Sequence, residues 1–205
     1  MKVVFLGPKK DPQISVISFL EQNDVSVDHF ENNINDGFSM KGYDFLISFG
    51  YRYIINKQIL DYFQERAINF HISYLPWNKG ADPNLWSFLE DTPKGVTIHL
   101  LDEKIDNGKI ICQKEVIFDE NQTFRSTYEL LNENIIKLFK ENWKKIKNEK
   151  LKRYGLNGIL ITEIDEEAVE SVDDVKRIMN AKNPNEPVSI SFVGKDGEKK
   201  QIIFQ

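Results

Sequence analysis

The chain has 205 residues, 40% of them hydrophobic and 29% charged, with a formal net charge of −5. Length and composition together exclude a disordered chain and a membrane-spanning one, and they allow one or two domains around a sizeable core. The acidic balance, with no dense basic tract, argues against nucleic acid as a partner, and the single cysteine, Cys112, rules out an internal disulfide and any multi-cysteine zinc site.

Residues 3–6 form an apolar run closed by Gly7-Pro8, the pattern of a buried strand and turn. The run is too short for an export signal, so the cytoplasm is the expected compartment. Over 12–22, Ile14, Ile17, Phe19 and Leu20 recur at helical spacing, with Asp11 as the expected N-cap and Pro12 in the first turn. Residues 25–30 alternate as a strand, and 43–49 make an apolar run before Gly50. A helix is expected over 56–66, a strand over 67–72, a short helix over 85–90 behind Asp82-Pro83, and strands over 96–101 and 109–118. An amphipathic helix over 123–147 sets Tyr128, Leu131, Ile135, Leu138 and Phe139 on one side. Strands alternating with helices point to an α/β fold with a mainly parallel sheet flanked by helices.

A Lys/Asn-rich stretch over 144–152 is poor in core residues and sets a domain boundary near residue 150. Beyond it, 151–205 reads as a small α+β tail. A strand is expected over 159–164, a helix over 171–181, and strands over 188–193 and 201–204. Pro184 and Pro187 punctuate the helix-to-strand junction, and Gly194-Lys195-Asp196-Gly197 is a hairpin signal between the last two strands. A unit of that size buries little on its own and needs a partner surface.

The segment Asn69-Phe70-His71-Ile72-Ser73-Tyr74-Leu75-Pro76 carries the chemistry. Residues two apart on a strand share a face, so Asn69 and His71 stand together while Phe70 and Ile72 point into the opposite apolar layer. The pair lies at the carboxyl end of its strand, where open α/β sheets bind ligands. A side-chain amide beside an imidazole suits acyl transfer, the amide serving an oxyanion and the imidazole a proton near neutral pH. Asp106, in the acidic turn Asp102-Glu103-Lys104-Ile105-Asp106-Asn107-Gly108, supplies a carboxylate to orient the ring. Taken singly these residues also read as structural, a satisfied strand histidine and a solvated turn acid. His29 and His99 read as structural.

Together, the Asn69-to-Pro76 run and Asp106 resemble the formyltransferases that use N10-formyltetrahydrofolate, and the run from His71 through Trp86 is similar to the branch acting on nucleotide-linked amino-deoxysugars such as dTDP-4-amino-4,6-dideoxyglucose. The resemblance covers about residues 1–150, with 46–111 as its core. It implies a formyltransferase-type Rossmann-like fold and Asn69, His71 and Asp106 as the catalytic residues. Asn69 would act as oxyanion donor with His71, and Asp106 would hold His71 and relay a proton. It also implies a folate site at Ser48, Phe49, Gly50 and Tyr51, and acceptor contacts at Ser73, Trp77, Asn78 and Lys79. The formyl donor enters as co-substrate, and no metal is implied. Trp77, Trp86, Tyr51, Tyr53 and Tyr74 are expected around the site. Lys104 and Lys109 depart from the family pattern, which often has Gly and Asp there, and the segment before Asn69 is short.

The tail resembles the second half of a bacterial-type PDZ domain and is a candidate dimerisation element, which makes a homodimer the expected assembly. Two other readings stay open on the residues. One is an inactive scaffold with the tail as interaction module. The other is formyl transfer to a tRNA-linked amine, which the short acidic chain disfavours.

Overall fold

The computed structural model describes residues 1–119, 121–152, 160–169, 177, 178, 180–182, 187–193 and 199–204. The chain divides into two compact units, Met1–Ile146 and Lys147–Gln205.

In the first unit, β1 (Lys2–Leu6), β2 (Ser26–Phe30), β3 (Phe45–Phe49), β4 (Ala67–His71), β5 (Gly95–Leu100) and β6 (Ile110–Glu115) form one sheet in the order β2-β1-β3-β4-β5-β6. The pairings from β2 to β4 are parallel, whereas β5 and β6 join antiparallel. The sheet is Rossmann-like in its parallel half and mixed as a whole. Its central strands are apolar at almost every position because both faces are covered.

The period of two sends alternate residues to two cores. Val3 and Phe5 of β1 join Phe45, Ile47 and Phe70. Val4 and Leu6 join Leu46 and Ala67. Helix α1 (Gln13–Glu21) and helix α4 (Phe124–Lys152) cover the first face, and helix α2 (Lys57–Phe63) covers the second. On α4, Leu131, Ile135, Phe139, Trp143 and Ile146 recur every three or four residues and are all buried. Each such side chain contributes roughly 1.5–3 kcal/mol relative to exposure.

Three local expectations are corrected. Asp11 does not cap α1; the helix starts after Pro12 with no side-chain cap, and Asp11 accepts a hydrogen bond from the Ser15 hydroxyl at 3.1 Å. The capping logic operates at α2, where Asn56 Oδ1 accepts from the Ile59 N–H at 3.0 Å. Tyr128 leaves the apolar side of α4 and is 48% exposed. The short helix expected over 85–90, α3 (Pro83–Leu89), begins earlier, with Pro83 in its first turn behind Asp82.

The second unit contains β7 (Leu160–Ile164), β8 (Glu167–Ala168), β9 (Val188–Val193) and β10 (Lys199–Phe204), an antiparallel sheet in the order β10-β9-β7-β8. Of the helix expected over 171–181, residues 177, 178 and 180 are helical, while 171–176 and 179 lie outside the described residues. The turn 194–197 and Pro184 lie outside them as well. Among the described residues, no helix is long and apolar enough to cross a membrane.

Candidate active site

Strand alternation and sheet register build the site. On β4, Ile68 and Phe70 enter the core shared with α4, which leaves Asn69 and His71 on the opposite face. On β5, Val96 and Ile98 enter the same core, so Thr97 and His99 face the way Asn69 does. The antiparallel register then sets His99 directly across from Asn69.

The β5–β6 turn brings Asp106 to this pair. Its backbone stands in the left-handed region at φ +46°, which Asp tolerates better than most residues. Asp106 Oδ2 accepts the Gly80 N–H at 2.8 Å and lies 3.4 Å from His71 Nδ1. Asp106 Oδ1 lies 3.1 Å from Asn69 Nδ2 and 3.3 Å from His99 Nε2. Asn69 Nδ2 is also 3.2 Å from His99 Nε2. The structure thus brings Asn69, His71 and Asp106 together and adds His99, which is only 1% exposed.

Both imidazoles are tied outward to backbone carbonyls, His71 Nε2 to Asn78 O at 2.9 Å and His99 Nδ1 to Leu100 O at 2.7 Å. A carbonyl only accepts, so these outer nitrogens carry protons, and the inner nitrogens, His71 Nδ1 and His99 Nε2, face Asp106. Burial pushes the His71 pKa below its ordinary value, and the charge of Asp106 opposes that only in part. Burial raises the Asp106 pKa, but the hydrogen bond from His99, the charge of His71 and the Gly80 N–H outweigh it, and the net shift is downward. Neutral His71 beside ionised Asp106 is a proton acceptor ready near neutral pH.

An open cleft of about 1130 Å³ lies over this cluster, at the carboxyl ends of β3 and β4. Ser48, Phe49, Gly50 and Tyr51 all line it. Gly50 has φ +67°, and a Cβ there would lie 3.3 Å from Gln13 Nε2, the atom that donates to Phe49 O at 3.2 Å. A larger residue would therefore press on the link that ties α1 to the end of β3.

The second set of expected binding residues stands elsewhere. Ser73, Trp77, Asn78 and Lys79 do not line the cleft. Ser73 is buried and donates to Trp77 O at 2.8 Å. Trp77 stacks on Tyr74 at 6.1 Å. The Asn78 side chain accepts from Thr92 Oγ1 at 2.6 Å and donates to Glu90 at 3.2 Å, while Lys79 donates to Asn107 Oδ1 at 2.7 Å. The segment forms the wall that fixes His71 and the Asp106 turn. Of the five aromatics expected around the site, Tyr51 and Tyr53 line the cleft; Trp77, Trp86 and Tyr74 do not, and Phe124 and Tyr128 of α4 take their place. Lys104 lines the cleft, as do Arg52 and Arg125. Among the described residues, no group of His, Cys, Asp or Glu is placed to hold a metal ion.

His99 had a legible sign. In Val96-Thr97-Ile98-His99 the polar positions alternate with the apolar ones and share one face. Which strand lies opposite that face is a matter of register, which sequence alone leaves open.

A half-parallel sheet with a polar cluster at its strand ends, under an open cleft, defines a Rossmann-like α/β enzyme domain. The Formyl transferase family model matches residues 2–141, and the chain belongs to that family. The crystal structure of the formyltransferase PseJ from Anoxybacillus kamchatkensis, in complex with UDP-4,6-dideoxy-4-formamido-L-AltNAc and tetrahydrofolate, is 43% identical. The match covers 90% of this chain and 93% of that one, with a TM-score of 0.68. The dTDP-4-amino-4,6-dideoxyglucose formyltransferase of Mycobacterium tuberculosis strain H37Rv is 31% identical over 86 residues, 42% of this chain and 36% of that protein. The bifunctional polymyxin resistance protein ArnA of Wigglesworthia glossinidia brevipalpis is 35% identical over 89 residues, 43% of this chain and 14% of that protein. The matched stretches thus span well under two thirds of these curated relatives. The first unit, Met1–Ile146, is under three quarters of the chain, so the likeness to PseJ extends into the second unit.

Proposed function

We propose that the protein transfers a formyl group from N10-formyltetrahydrofolate to the amino group of a nucleotide-linked amino-dideoxysugar. The observation that carries this reading is the buried Asn69–His71–Asp106 cluster at the base of a cleft with room for both substrates, in a chain 43% identical to a formyltransferase solved with such a sugar and tetrahydrofolate. That ligand also supports a 4-amino-4,6-dideoxy sugar on uridine diphosphate as the acceptor, and the similarity to the dTDP-4-amino-4,6-dideoxyglucose formyltransferase supports thymidine diphosphate as the other carrier.

The cleft suits a pterin as the donor's head. Leu101, Ile54 and Ile105 offer apolar surface, and the loop 102–105 offers backbone groups at the cleft. Ser48, Phe49, Gly50 and Tyr51 line the opposite side. In the reaction the amine nitrogen bonds to the formyl carbon, the bond from that carbon to N10 breaks, and the proton leaving the amine ends on N10. His71 Nδ1 takes that proton beside Asp106 Oδ2 and gives it up again, while the bond from Nε2 to Asn78 O holds the ring in place. Asp106 holds the imidazolium electrostatically.

The catalytic machinery is assigned to the first unit, and the second unit is assigned as a dimerisation element. Incubating the protein with N10-formyltetrahydrofolate and a panel of UDP- and dTDP-linked 4-amino and 3-amino dideoxysugars, followed by mass spectrometry, tests the reading. A formyl adduct is expected on a 4-amino sugar. A folded protein that formylates no member of the panel would overturn it.

A further inference from the structure

We infer that Asn35 and Tyr51 latch the loop after β2 onto the rim of the cleft, and that this latch holds residues 52–54 as a preformed wall for the formyl donor. Asn35 is then a positioning residue for donor binding, although it does not itself line the cleft. The latch stands on the geometry alone; its part in donor binding rests on the formyl-transfer reading.

Five hydrogen bonds join the two segments. The Tyr51 hydroxyl donates to Asn32 O at 2.8 Å and accepts the Ile34 N–H at 3.1 Å. Asn35 Nδ2 donates to Ile54 O at 2.7 Å, and Asn35 Oδ1 accepts the Asn56 N–H at 2.9 Å. Asn56 Nδ2 donates in turn to Asn35 O at 3.2 Å. The Asn35 carboxamide thus spends its donor on a carbonyl and its acceptor on an N–H, which only one of its two orientations satisfies. Asn56 is held from the other side, since its Oδ1 caps α2 at the Ile59 N–H. The Tyr51 hydroxyl is spent on the loop, so the cleft meets its ring.

These bonds run from an anchored segment to one that leaves the core. Ile34 and Ile55 are both buried in the core covered by α2. Between Tyr51 and Ile55 the chain rises out of it: Tyr53 is 46% exposed and Ile54 is 70% exposed, and both line the cleft. The Tyr53 ring leans on that of Tyr51 at 5.3 Å. Large apolar side chains held in water at a cleft rim gain from a ligand that covers them, and Ile54 is one of the surfaces offered to the pterin. A wall already fixed in its bound shape spares the ligand the cost of ordering it. Without the Asn35 carboxamide, Ile54 O loses its donor and the Asn56 N–H its acceptor, and the rim is held only at its ends.

Backbone amide exchange on the full chain, followed by nitrogen-15 NMR, tests the latch without any ligand. The Ile34 and Asn56 N–H groups should be protected in the wild type. Asn35→Ala should speed exchange at Asn56 about tenfold and, because the bonds close as a unit, at Ile34 as well. Calorimetric titration with tetrahydrofolate tests the function. Asn35→Ala should weaken binding about tenfold. Asn35→Asp keeps the acceptor for Asn56 but sets an oxygen against Ile54 O, so it should bind as weakly. Joining Asn35→Ala to Tyr51→Phe should cost less than the product of the two single losses, since both open one latch. In turnover, Asn35→Ala should raise KM for N10-formyltetrahydrofolate about tenfold and leave kcat and KM for the sugar within about twofold. A merely structural defect would lower kcat and the thermal midpoint instead. Unchanged exchange at Ile34 in Asn35→Ala, or wild-type folate affinity in that variant, would overturn the inference. A wild type that binds tetrahydrofolate yet formylates no sugar would remove the formyl-transfer reading, and the affinity comparison would still decide the latch.

Discussion

His71 is a buried imidazole kept neutral by its surroundings, and that has a consequence for stability. Its folded pKa lies below the ordinary 6.5 because burial disfavours the charged ring. As pH falls, the unfolded chain therefore takes up the proton before the folded one does. The stabilisation is complete above about pH 6.5 and is lost progressively as pH drops toward the folded value. Asp106, also lowered, adds a second loss in the same direction below its ordinary 3.8. Thermal midpoints measured across this range should fall between pH 7 and pH 5 in the wild type. In His71→Gln the slope over that window should flatten. An unchanged slope would mean that His71 does not titrate as its burial requires. At this scale the sequence went far: Asn69 and His71 are two apart on a strand, and the acidic turn holds Asp106. His99 was out of reach because its partner is set by β4–β5 register, and a polar, aromatic loop such as 77–79 reads the same in sequence whether it faces a ligand or braces a wall.

Elements place those residues, and the β5–β6 turn is the one under most steric pressure. A Cβ added at Gly108 would stand 1.9 Å from Leu100 O and 2.7 Å from Leu100 C, both backbone atoms that cannot rotate away. Leu100 N–H bonds to Lys109 O at 2.9 Å, so the approach is part of the hairpin itself. Gly108→Ala must shift the turn, and Asp106 lies on it. We expect a loss of about 1–3 kcal/mol in urea unfolding, typical of overpacking. The loss in kcat should exceed what that destabilisation alone explains, because the carboxylate must keep its distance to both rings. Near-wild-type kcat would show that the turn can move without Asp106. The mixed sheet follows from connection lengths. The short link from β5 to β6 permits only an antiparallel pair, which a sequence reader can see. The link from β4 to β5 is long and contains α3, so it reads as a parallel crossover although the strands pair antiparallel.

Over the whole molecule the chemistry and the small second sheet separate. Asn69, His71, His99, Asp106 and the cleft all lie within Met1–Ile146. The second unit, Lys147–Gln205, has a four-stranded sheet whose terminal strands differ in length: β8 has two residues and β10 six. A two-residue end strand offers little backbone to pair, whereas a six-residue one presents a row of N–H and C=O groups that another chain can extend. Two copies joined through β10 by a two-fold axis would close the edge and stop there. Removing residues 153–205 should therefore turn a dimer into a monomer in sedimentation equilibrium. Folate binding should stay within about threefold of the full chain, a change below the ~1.4 kcal/mol that a tenfold shift represents. A truncated chain that remains dimeric would assign the interface to the first unit. One that loses folate binding while keeping its far-ultraviolet spectrum would show that the cleft needs the second unit, and the division of labour between the two would fail.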